Sequence, residues 1–338
     1  MKYIVCQEPG KFIMKERDAP SQQEGEALVK ITRVGICGTD LHAYQGNQPF
    51  FDYPRILGHE LAGEILEIEE NEQGLKSGDP VIVMPYYTCG ECIACNQGKT
   101  NCCTQMEVLG VHIDGGMQEV LSIPISMLRP SGGLTPNEMA LIEPLSIGAH
   151  SVRRANLQDG ETVLVTGCGP IGIGIMKFAK LAGATVIALD INQPRLDFVT
   201  EHIGVDHTVL VGDDPTKSIL AYNRDELPTA VFDATGNKKA LEAGVQFISH
   251  GGRYLLVGLY RDDLVFNHPH LHKKEGSILA SRNATFGDFY QVIDMLKGGS
   301  FPTQDYITHE VPFGEMINHF DSWIKPETGV IKAMVSLG

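Results

Sequence analysis

The sequence has too few basic residues to suit a nucleic acid or an anionic membrane surface. Its 338 residues include 27 lysines and arginines against 42 aspartates and glutamates, a formal net charge of −15 at pH 7. A surface of this sign repels phosphate groups and anionic lipid headgroups. We therefore expect neither a nucleic acid nor a membrane among the partners of this protein.

Long hydrophobic segments are missing as well. No apolar run in the sequence reaches the roughly 18 residues by which a membrane-spanning helix is recognised. The first residues, MKYIVCQEPG, lack the long apolar core of a secretory signal. A cytoplasmic protein is the expectation. The chain is longer than one typical hydrophobic core supports, which predicts two domains.

Eight cysteines occur in a chain that is long and hydrophobic enough to fold without disulfides. Cys89, Cys92 and Cys95 are separated by two residues each, and a fourth thiol follows at Cys103 or at Cys102. Four thiolates at such spacing form a tetrahedral site for structural zinc, whereas a redox pair would need only two of them. We predict a closed zinc site that holds a lobe of the protein in shape. Spacing alone does not decide between Cys102 and Cys103.

A second possible metal site lies nearer the N-terminus. Cys37, His42, His59 and Glu60 supply a thiol, two imidazoles and a carboxylate, and three such ligands leave a position open for chemistry. Simpler interpretations are a buried cysteine that acts as a small hydrophobe and a polar Gly-His-Glu turn. Neighbouring residues of a regular strand point to opposite faces, so His59 and Glu60 can share a metal only where the backbone departs from a strand. Gly58 makes that departure easy.

A later helical segment places a carboxylate in apolar surroundings. Thr135 followed by Pro136 predicts the start of a helix. Pro144 predicts a break or bend, followed by a second helix that continues to Ala155. Glu143, immediately before this proline, needs a partner if it is buried, and the alternative is a helix-end acid that faces water.

A glycine-rich segment after the apolar strand 163–165 predicts a dinucleotide site. The GxGxxG spacing lets backbone amides approach a pyrophosphate at the start of the helix that follows. The preceding strand and the following helix are the context that makes this motif specific. The residues expected at the cofactor are Gly167, Gly169, Pro170, Ile171 and Gly172.

An acid at the end of the next strand indicates which dinucleotide is bound. The strand Thr185–Leu189 is followed by Asp190. A carboxylate here hydrogen-bonds the ribose 2′-hydroxyl and repels a 2′-phosphate, so NAD is favoured over NADP. Arg195 is close enough in sequence to weaken this preference, although a solvated helix residue is the simpler interpretation.

Strand and helix patterns change along the chain. Residues 1 to about 85 have the pattern of short strands separated by turns, which predicts a β-rich, partly barrel-like domain. After the dinucleotide motif, strands alternate with helices, which predicts a doubly wound parallel sheet and an α/β fold. The C-terminal segment has helical patterns at Phe286–Leu296 and Phe313–Ile324, followed by a last strand.

Taken together and in this order, the motifs resemble those of the zinc-dependent medium-chain alcohol and polyol dehydrogenases over the whole chain. The resemblance rests on Cys37-Gly-x-Asp-x-His, Gly58-His59-Glu60, the four-cysteine lobe, Glu143-Pro144 and GxGxxG. It implies a GroES-like catalytic domain at about 1–148 plus 286–338, with the zinc lobe at 86–105, and a Rossmann domain at 149–285. It also implies two zinc ions per chain, NAD, and a homodimer or homotetramer.

The resemblance further implies that Cys37 and His59 bind the catalytic zinc. Glu60 and Glu143 match positions that the family uses as ligands or as near neighbours of the metal, and the polyol branch uses Glu60. The choice between these two stays open. Zinc as a Lewis acid would lower the pKa of a substrate hydroxyl, and a hydride would pass to the nicotinamide. The charges of Cys37 and Glu60 would balance the divalent ion.

Four more residues receive roles from the resemblance. Thr39 is expected to hydrogen-bond the substrate oxygen, and His42 to pass the proton to solvent through the cofactor ribose. A turn hydroxyl and a surface histidine are the simpler interpretations of these two. Thr235 and Gly236 are expected to line the cofactor.

The expected substrate also comes from resemblance. At Gly46–Phe51, His272–Glu275 and Ser281–Thr285, the chain resembles the branch of the family that acts on six-carbon sugar acids. That branch oxidises C5 of L-galactonate or L-gulonate. A sugar acid needs a cation for its carboxylate. Arg282, beside Asn283, could supply a two-pronged contact, and Lys273 or Lys274 are alternatives.

Two other functions remain open from the sequence. A polyol or secondary-alcohol dehydrogenase would use the same mechanism on an uncharged substrate. A non-catalytic sensor that binds NAD and zinc is a second alternative. A sensor would have no need of the full set Cys37, Thr39, His42, His59, Glu60 and Glu143. We therefore expect a zinc- and NAD-dependent oxidoreductase that acts on a CH–OH group.

Overall fold

The chain folds into two compact units. A computed structural model describes residues 1–48, 51–212 and 214–338. One unit consists of Met1–Glu143 and Thr285–Gly338, and the other of Pro144–Ala284. Within the described residues, no helix combines the length and the apolar character that crossing a membrane requires.

The elements are numbered in chain order. The strands are β1 Lys2–Glu8, β2 Lys11–Glu16, β3 Glu26–Ile36, β4 Glu60–Glu67, β5 Pro80–Val83, β6 Tyr86–Tyr87, β7 Glu107–Val108, β8 Val120–Pro124, β9 Leu128–Pro130, β10 Thr162–Thr166, β11 Thr185–Asp190, β12 His207–Leu210, β13 Ala230–Asp233, β14 Arg253–Leu256, β15 Ser277–Ala280, β16 Ile307–Pro312 and β17 Lys332–Ser336. The α-helices are α1 Gly38–Tyr44, α2 Ile93–Asn96, α3 Pro136–Ala140, α4 Ile142–Ala155, α5 Pro170–Leu181, α6 Gln193–Phe198, α7 Thr216–Tyr222, α8 Lys238–Gly244, α9 His268–Lys273, α10 Phe286–Lys297, α11 Thr303–Tyr306 and α12 Met316–Trp323.

The first unit is built on a mostly antiparallel sheet with β3 at its centre. The strand order is β16-β17-β3-β4-β5-β9, and β8 also pairs with β3. Val29, Ile31 and Val34 of β3 are completely buried, because β-branched residues pack well on a pleated, covered surface. Strand β17, near the C-terminus, pairs antiparallel with β3, so both ends of the chain contribute to one sheet.

The second unit contains a six-stranded parallel sheet in the order β12-β11-β10-β13-β14-β15. Its central strand, β10, buries Val163, Leu164 and Val165 completely, as a parallel strand covered on both faces requires. This is the doubly wound order in which dinucleotides bind beyond the carboxyl ends of the first strands. The predicted α/β fold class, with a Rossmann sheet and a β-rich GroES-like domain, is confirmed.

Two helix boundaries differ from the sequence prediction. The break before α4 lies at Leu141 and not at Pro144, which is the third residue of that helix. The first four amides of a helix have no intrahelical acceptor, so a proline there removes no hydrogen bond. Near the C-terminus, the predicted helix Phe313–Ile324 begins as a 3-10 turn, Phe313–Glu315, and becomes α-helical only in α12.

Candidate metal and cofactor sites

Three side chains at the adjoining ends of two neighbouring strands meet at one point of the first unit. Ligand atoms of Cys37, His59 and Glu60 all lie within 4.8 Å of one another. Cys37 follows β3 directly as the N-cap of α1, and His59 precedes β4, which starts at Glu60. Gly58 has φ of +99°, so the backbone leaves the extended conformation just before the pair. This departure brings His59 and Glu60 to the same site.

The buried carboxylate of Asp40 accepts from Cys37 and lies beside His59. The Cys37 backbone N–H donates to Oδ2 of Asp40 at 2.8 Å, closing the capping box of α1. The other oxygen, Oδ1, lies 3.8 Å from Nδ1 of His59. Burial alone would lower the pKa of His59, but the charges of Asp40 and Cys37 raise it well above its ordinary value. These negative surroundings and the donor set S, N and O fit a divalent zinc ion.

Glu60 is completely buried and is held by a lysine from the C-terminal strand β17. Nζ of Lys332 donates to both carboxylate oxygens of Glu60, at 2.6 and 2.7 Å, and to the carbonyl oxygen of Ile36 at 3.1 Å. Lys332 is 1% exposed. The three donors of the ammonium group therefore have three acceptors.

Glu143 is buried near the same group and has its own partner. The hydroxyl of Tyr86 donates to Oε1 of Glu143. Burial raises the pKa of Glu143 to about 7, against the attraction of His59. We predicted that a carboxylate buried at this position needs a partner, and Tyr86 is that partner.

Helix α1 carries the two residues expected to handle the proton. Thr39 lies in its first turn and is half-buried, whereas His42 is exposed. Both residues therefore belong to the short helix α1, which has Cys37 as its N-cap, and His42 has access to water.

The four-cysteine cluster forms a second site in the first unit. Thiols of Cys89, Cys92, Cys95 and Cys103 lie within 4.8 Å of one another, whereas Cys102 is exposed and does not belong to the group. The alternative with Cys102 is therefore wrong. Hydrogen bonds from the backbone N–H of Cys95 and then of Thr104 lower the pKa of the Cys92 thiol to about 5. A closed set of four sulfurs, one of them with a lowered pKa, fits structural zinc.

The glycine motif sits where β10 passes into α5. Gly167 has φ of +94°, and a Cβ on Gly172 would lie 1.7 Å from the carbonyl oxygen of Gly167. Only glycine fits such a turn and such an approach. Gly169 is the N-cap of α5, which opens with Pro170 and Ile171. The motif therefore offers the start of a helix to an anion.

Asp190 at the end of β11 supports this turn. Its Oδ2 accepts from the Cys168 N–H at 2.6 Å, and its Oδ1 accepts from the Asn192 N–H at 2.9 Å. Arg195 in α6 donates through Nη1 to the carbonyl oxygen of Cys168 at 3.3 Å. Both predicted side chains therefore lie against the glycine turn.

A third loop follows β13. Oδ1 of the fully buried Asp233 accepts from the backbone N–H of Thr235 at 2.8 Å and from its hydroxyl at 2.7 Å. Gly236 has φ of +61°, and Gly258 lies so close that a Cβ there would be 2.4 Å from the Gly236 nitrogen. The exposed Thr235 thus sits on a tightly fixed turn.

The candidate carboxylate partners fall into two groups. Arg282 and Lys273 are exposed, and Asn283, beside Arg282, has φ of +52°. Lys274 is buried and donates to the carbonyl oxygens of Gln246 and Ile248, at 2.8 and 2.6 Å. Lys274 as a partner for a substrate carboxylate is therefore wrong. Within the stretch 46–51, positions 49 and 50 lie outside the described residues.

Three residues that contact or lie beside Cys37, His59, Glu60 or Glu143 were not predicted from the sequence: Asp40, Tyr86 and Lys332. Asp40 left a signal, because it stands three residues after Cys37 at the capping-box position. Tyr86 and Lys332 left none, since their partners are 57 and 272 residues away.

Comparison with known proteins shows the family to which the chain is similar. Residues 23–131 match the alcohol dehydrogenase GroES-like domain, and residues 170–298 match the zinc-binding dehydrogenase model. L-galactonate-5-dehydrogenase of Escherichia coli (strain K12) is 41% identical over 99% of both chains. A solved alcohol dehydrogenase (rspB) from Escherichia coli CFT073, in complex with NADH, has 31% identity and a TM-score of 0.92 over 99% of both chains. L-idonate 5-dehydrogenase from Escherichia coli has 25% identity and a TM-score of 0.90, over 99% of this chain and 97% of its own.

Proposed function

Because this chain belongs to the zinc-type medium-chain dehydrogenase family, we propose that it oxidises C5 of a six-carbon sugar acid, with NAD as hydride acceptor. The main support is its 41% identity over 99% of both chains to a protein named L-galactonate-5-dehydrogenase. L-galactonate and L-gulonate are the first substrates to test. Oxidation of a CH–OH group is the activity of the family, and the choice of substrate is the proposal.

Cys37 and His59 are the proposed ligands of a catalytic zinc. Nδ1 of His59 faces Asp40, which leaves Nε2 for the metal. Glu60 and Glu143 are the candidates for a third protein ligand, and Glu60 lies within reach of the other two. Zinc bound here supplies Lewis acidity that lowers the pKa of a hydroxyl. A second, structural zinc is assigned to Cys89, Cys92, Cys95 and Cys103.

The protein's own contribution to the reaction is to hold the substrate and move one proton. Thr39, at the start of α1, hydrogen-bonds the substrate oxygen, and His42, exposed on the same helix, would pass the hydroxyl proton to water by way of the cofactor ribose. Oxidation of the alcohol releases one proton and transfers one hydride, so NAD leaves as NADH.

NAD is held by the glycine turn and by two neighbouring loops. Gly167, Gly169, Pro170, Ile171 and Gly172 bind the pyrophosphate at the start of α5, with Thr235 and Gly236 alongside. Asp190 binds the ribose hydroxyls and disfavours a 2′-phosphate, with Arg195 next to it. Preference for NAD over NADP therefore depends on one carboxylate.

Arg282 is the proposed partner of the substrate carboxylate, with Asn283 beside it, because its exposed guanidinium can form two parallel hydrogen bonds. In this proposal the catalytic domain spans 1–148 plus 286–338, and the dinucleotide domain spans 149–285. A cytoplasmic location and a homodimer or homotetramer stay predictions.

A substrate panel tests the proposal. NADH formation is followed with L-galactonate, L-gulonate, L-idonate and sorbitol. We expect the highest kcat/KM with a sugar acid. Arg282→Ala should raise KM for the acid without changing KM for sorbitol, whereas a rise in Lys273→Ala instead would assign the carboxylate to that alternative cation. Activity confined to sorbitol would contradict the proposal and leave a polyol dehydrogenase.

A further inference from the structure

The buried ion pair between Lys332 and Glu60 lies directly against the candidate metal group, and this inference rests on the zinc site proposed above. Glu60 offers an oxygen within 4.8 Å of the ligand atoms of Cys37 and His59. The same carboxylate receives hydrogen bonds of 2.6 and 2.7 Å from Lys332. A metal ion at this point and Lys332 would therefore share the single negative charge of Glu60.

The fold leaves Lys332 little freedom to leave Glu60. Lys332 begins β17, in which Ala333 is paired with Ile36 of β3, and Gly35 of β3 is paired with Glu60 of β4. The lysine, the Ile36 carbonyl and the carboxylate thus lie in a row across three adjacent strands. All three ammonium donors are used, and the ion pair is buried, so departure would leave charges without partners.

The space around Glu60 is adapted to this arrangement. A Cβ on Gly35 would lie 2.0 Å from Oε2 of Glu60 and 2.9 Å from its Cβ. Glycine is therefore required opposite Glu60 for the carboxylate to reach Lys332 in this position. The contact depends on specific residues of three strands.

We propose that Lys332 is a positioning residue of the metal centre, which competes with the metal for the carboxylate of Glu60 and keeps that ligand weakly bound. A carboxylate that already neutralises a buried cation gives less charge to the metal. Glu60 would then be the ligand that gives way to a substrate hydroxyl, while Cys37 and His59 would continue to hold a metal bound here. The charge of the divalent ion is then not balanced by Cys37 and Glu60 alone, because Lys332 adds a positive charge beside Glu60.

The test measures metal binding, and it needs no substrate. The Cys37 site of the full chain is loaded with Co²⁺, its visible spectrum is recorded, and the affinity is measured by competition with a chelator. In Lys332→Met the carboxylate loses its cation, so we expect a changed spectrum and roughly tenfold or more tighter binding. The double variant Lys332→Met/Glu60→Gln should return both towards the wild-type values.

Matched variants separate this effect from loss of packing. Lys332→Arg keeps the charge and should retain the wild-type spectrum. Lys180→Met removes another ion-paired lysine, whose Nζ contacts both Asp206 oxygens at 2.9 and 2.8 Å, and should leave the Co²⁺ site unchanged. Lys332→Gln, which retains a donor, replaces Lys332→Met if the latter does not fold.

Unchanged or weaker metal binding in Lys332→Met overturns the inference. So does tighter binding that persists when Glu60 is also replaced, because Glu60 would then not mediate the effect. A wild-type chain that binds no metal through Cys37 would instead refute the proposed zinc site itself. Loss of sugar-acid activity alone bears on the substrate and not on Lys332.

Discussion

Asp40 gives the sharpest test of how the protein holds His59. Asp40→Asn has nearly the same shape, and its amide oxygen can still accept from the Cys37 N–H, so the start of α1 is kept. The change removes the negative charge that lies 3.8 Å from Nδ1 of His59. Such a charge behind a histidine increases the basicity of the ring towards a metal on the other nitrogen.

The expected loss follows from this geometry. Removing a carboxylate behind a metal-binding histidine weakens metal affinity roughly 10- to 100-fold, about 1.4–2.7 kcal/mol. The asparagine recovers part of the lost attraction through its dipole. We therefore expect a loss of zinc affinity of roughly 10- to 100-fold, about 1.4–2.7 kcal/mol.

The assay is competition for zinc between the protein and a chromogenic chelator, read at the Cys37 site. Asp288→Asn is a matched control, because Asp288 is also completely buried in a capping box, with Thr285 at the start of α10. That variant should lose stability but keep its zinc affinity. Wild-type zinc affinity in Asp40→Asn would refute the role given to this carboxylate.

Three further predictions concern other parts of the chain. Asp190→Ser should shift the preference from NAD towards NADP by roughly tenfold, measured as the ratio of kcat/KM values, since it removes repulsion of a 2′-phosphate. Cys92→Ser should lower the zinc content from two ions per chain to one and the thermal midpoint with it, while NAD still binds. The ammonium of Lys180 and the Val186 N–H hold the pKa of Asp206 below its usual value, although burial opposes this. Asp206→Asn should therefore destabilise the protein at neutral pH. The difference from wild type should shrink as pH falls below about 4, where the unfolded chain takes up the proton, and become small below the lowered pKa of the folded carboxylate.

Much of the fold could be predicted because its signals are local. Thr135 and Glu138 form a capping box within one turn, so the start of α3 is visible in four residues. Gly172 is required by a contact five residues away, since a Cβ there would lie 1.7 Å from the carbonyl oxygen of Gly167, and Gly167 itself is required by its φ of +94°. Such features depend on neighbouring residues and hence appear in the sequence pattern.

The electrostatics of the metal group could not be predicted in the same way. Lys332 reaches Glu60 only because β17 pairs with β3 and β3 with β4, which is a property of the assembled sheet. Tyr86 reaches Glu143 across 57 residues. A lysine near the C-terminus has no local feature that distinguishes it from a solvated one. The choice between Glu60 and Glu143 depends on these distant partners.

We propose that Cys37 belongs to the metal centre at which the hydride leaves the substrate. The most direct measurement compares NADH formation from L-galactonate or L-gulonate in the zinc-loaded wild type and in Cys37→Ser, with NAD affinity determined for both. Loss of turnover in Cys37→Ser with unchanged NAD affinity is the predicted result. Wild-type turnover in Cys37→Ser would contradict the account, because the reaction would then not depend on this site.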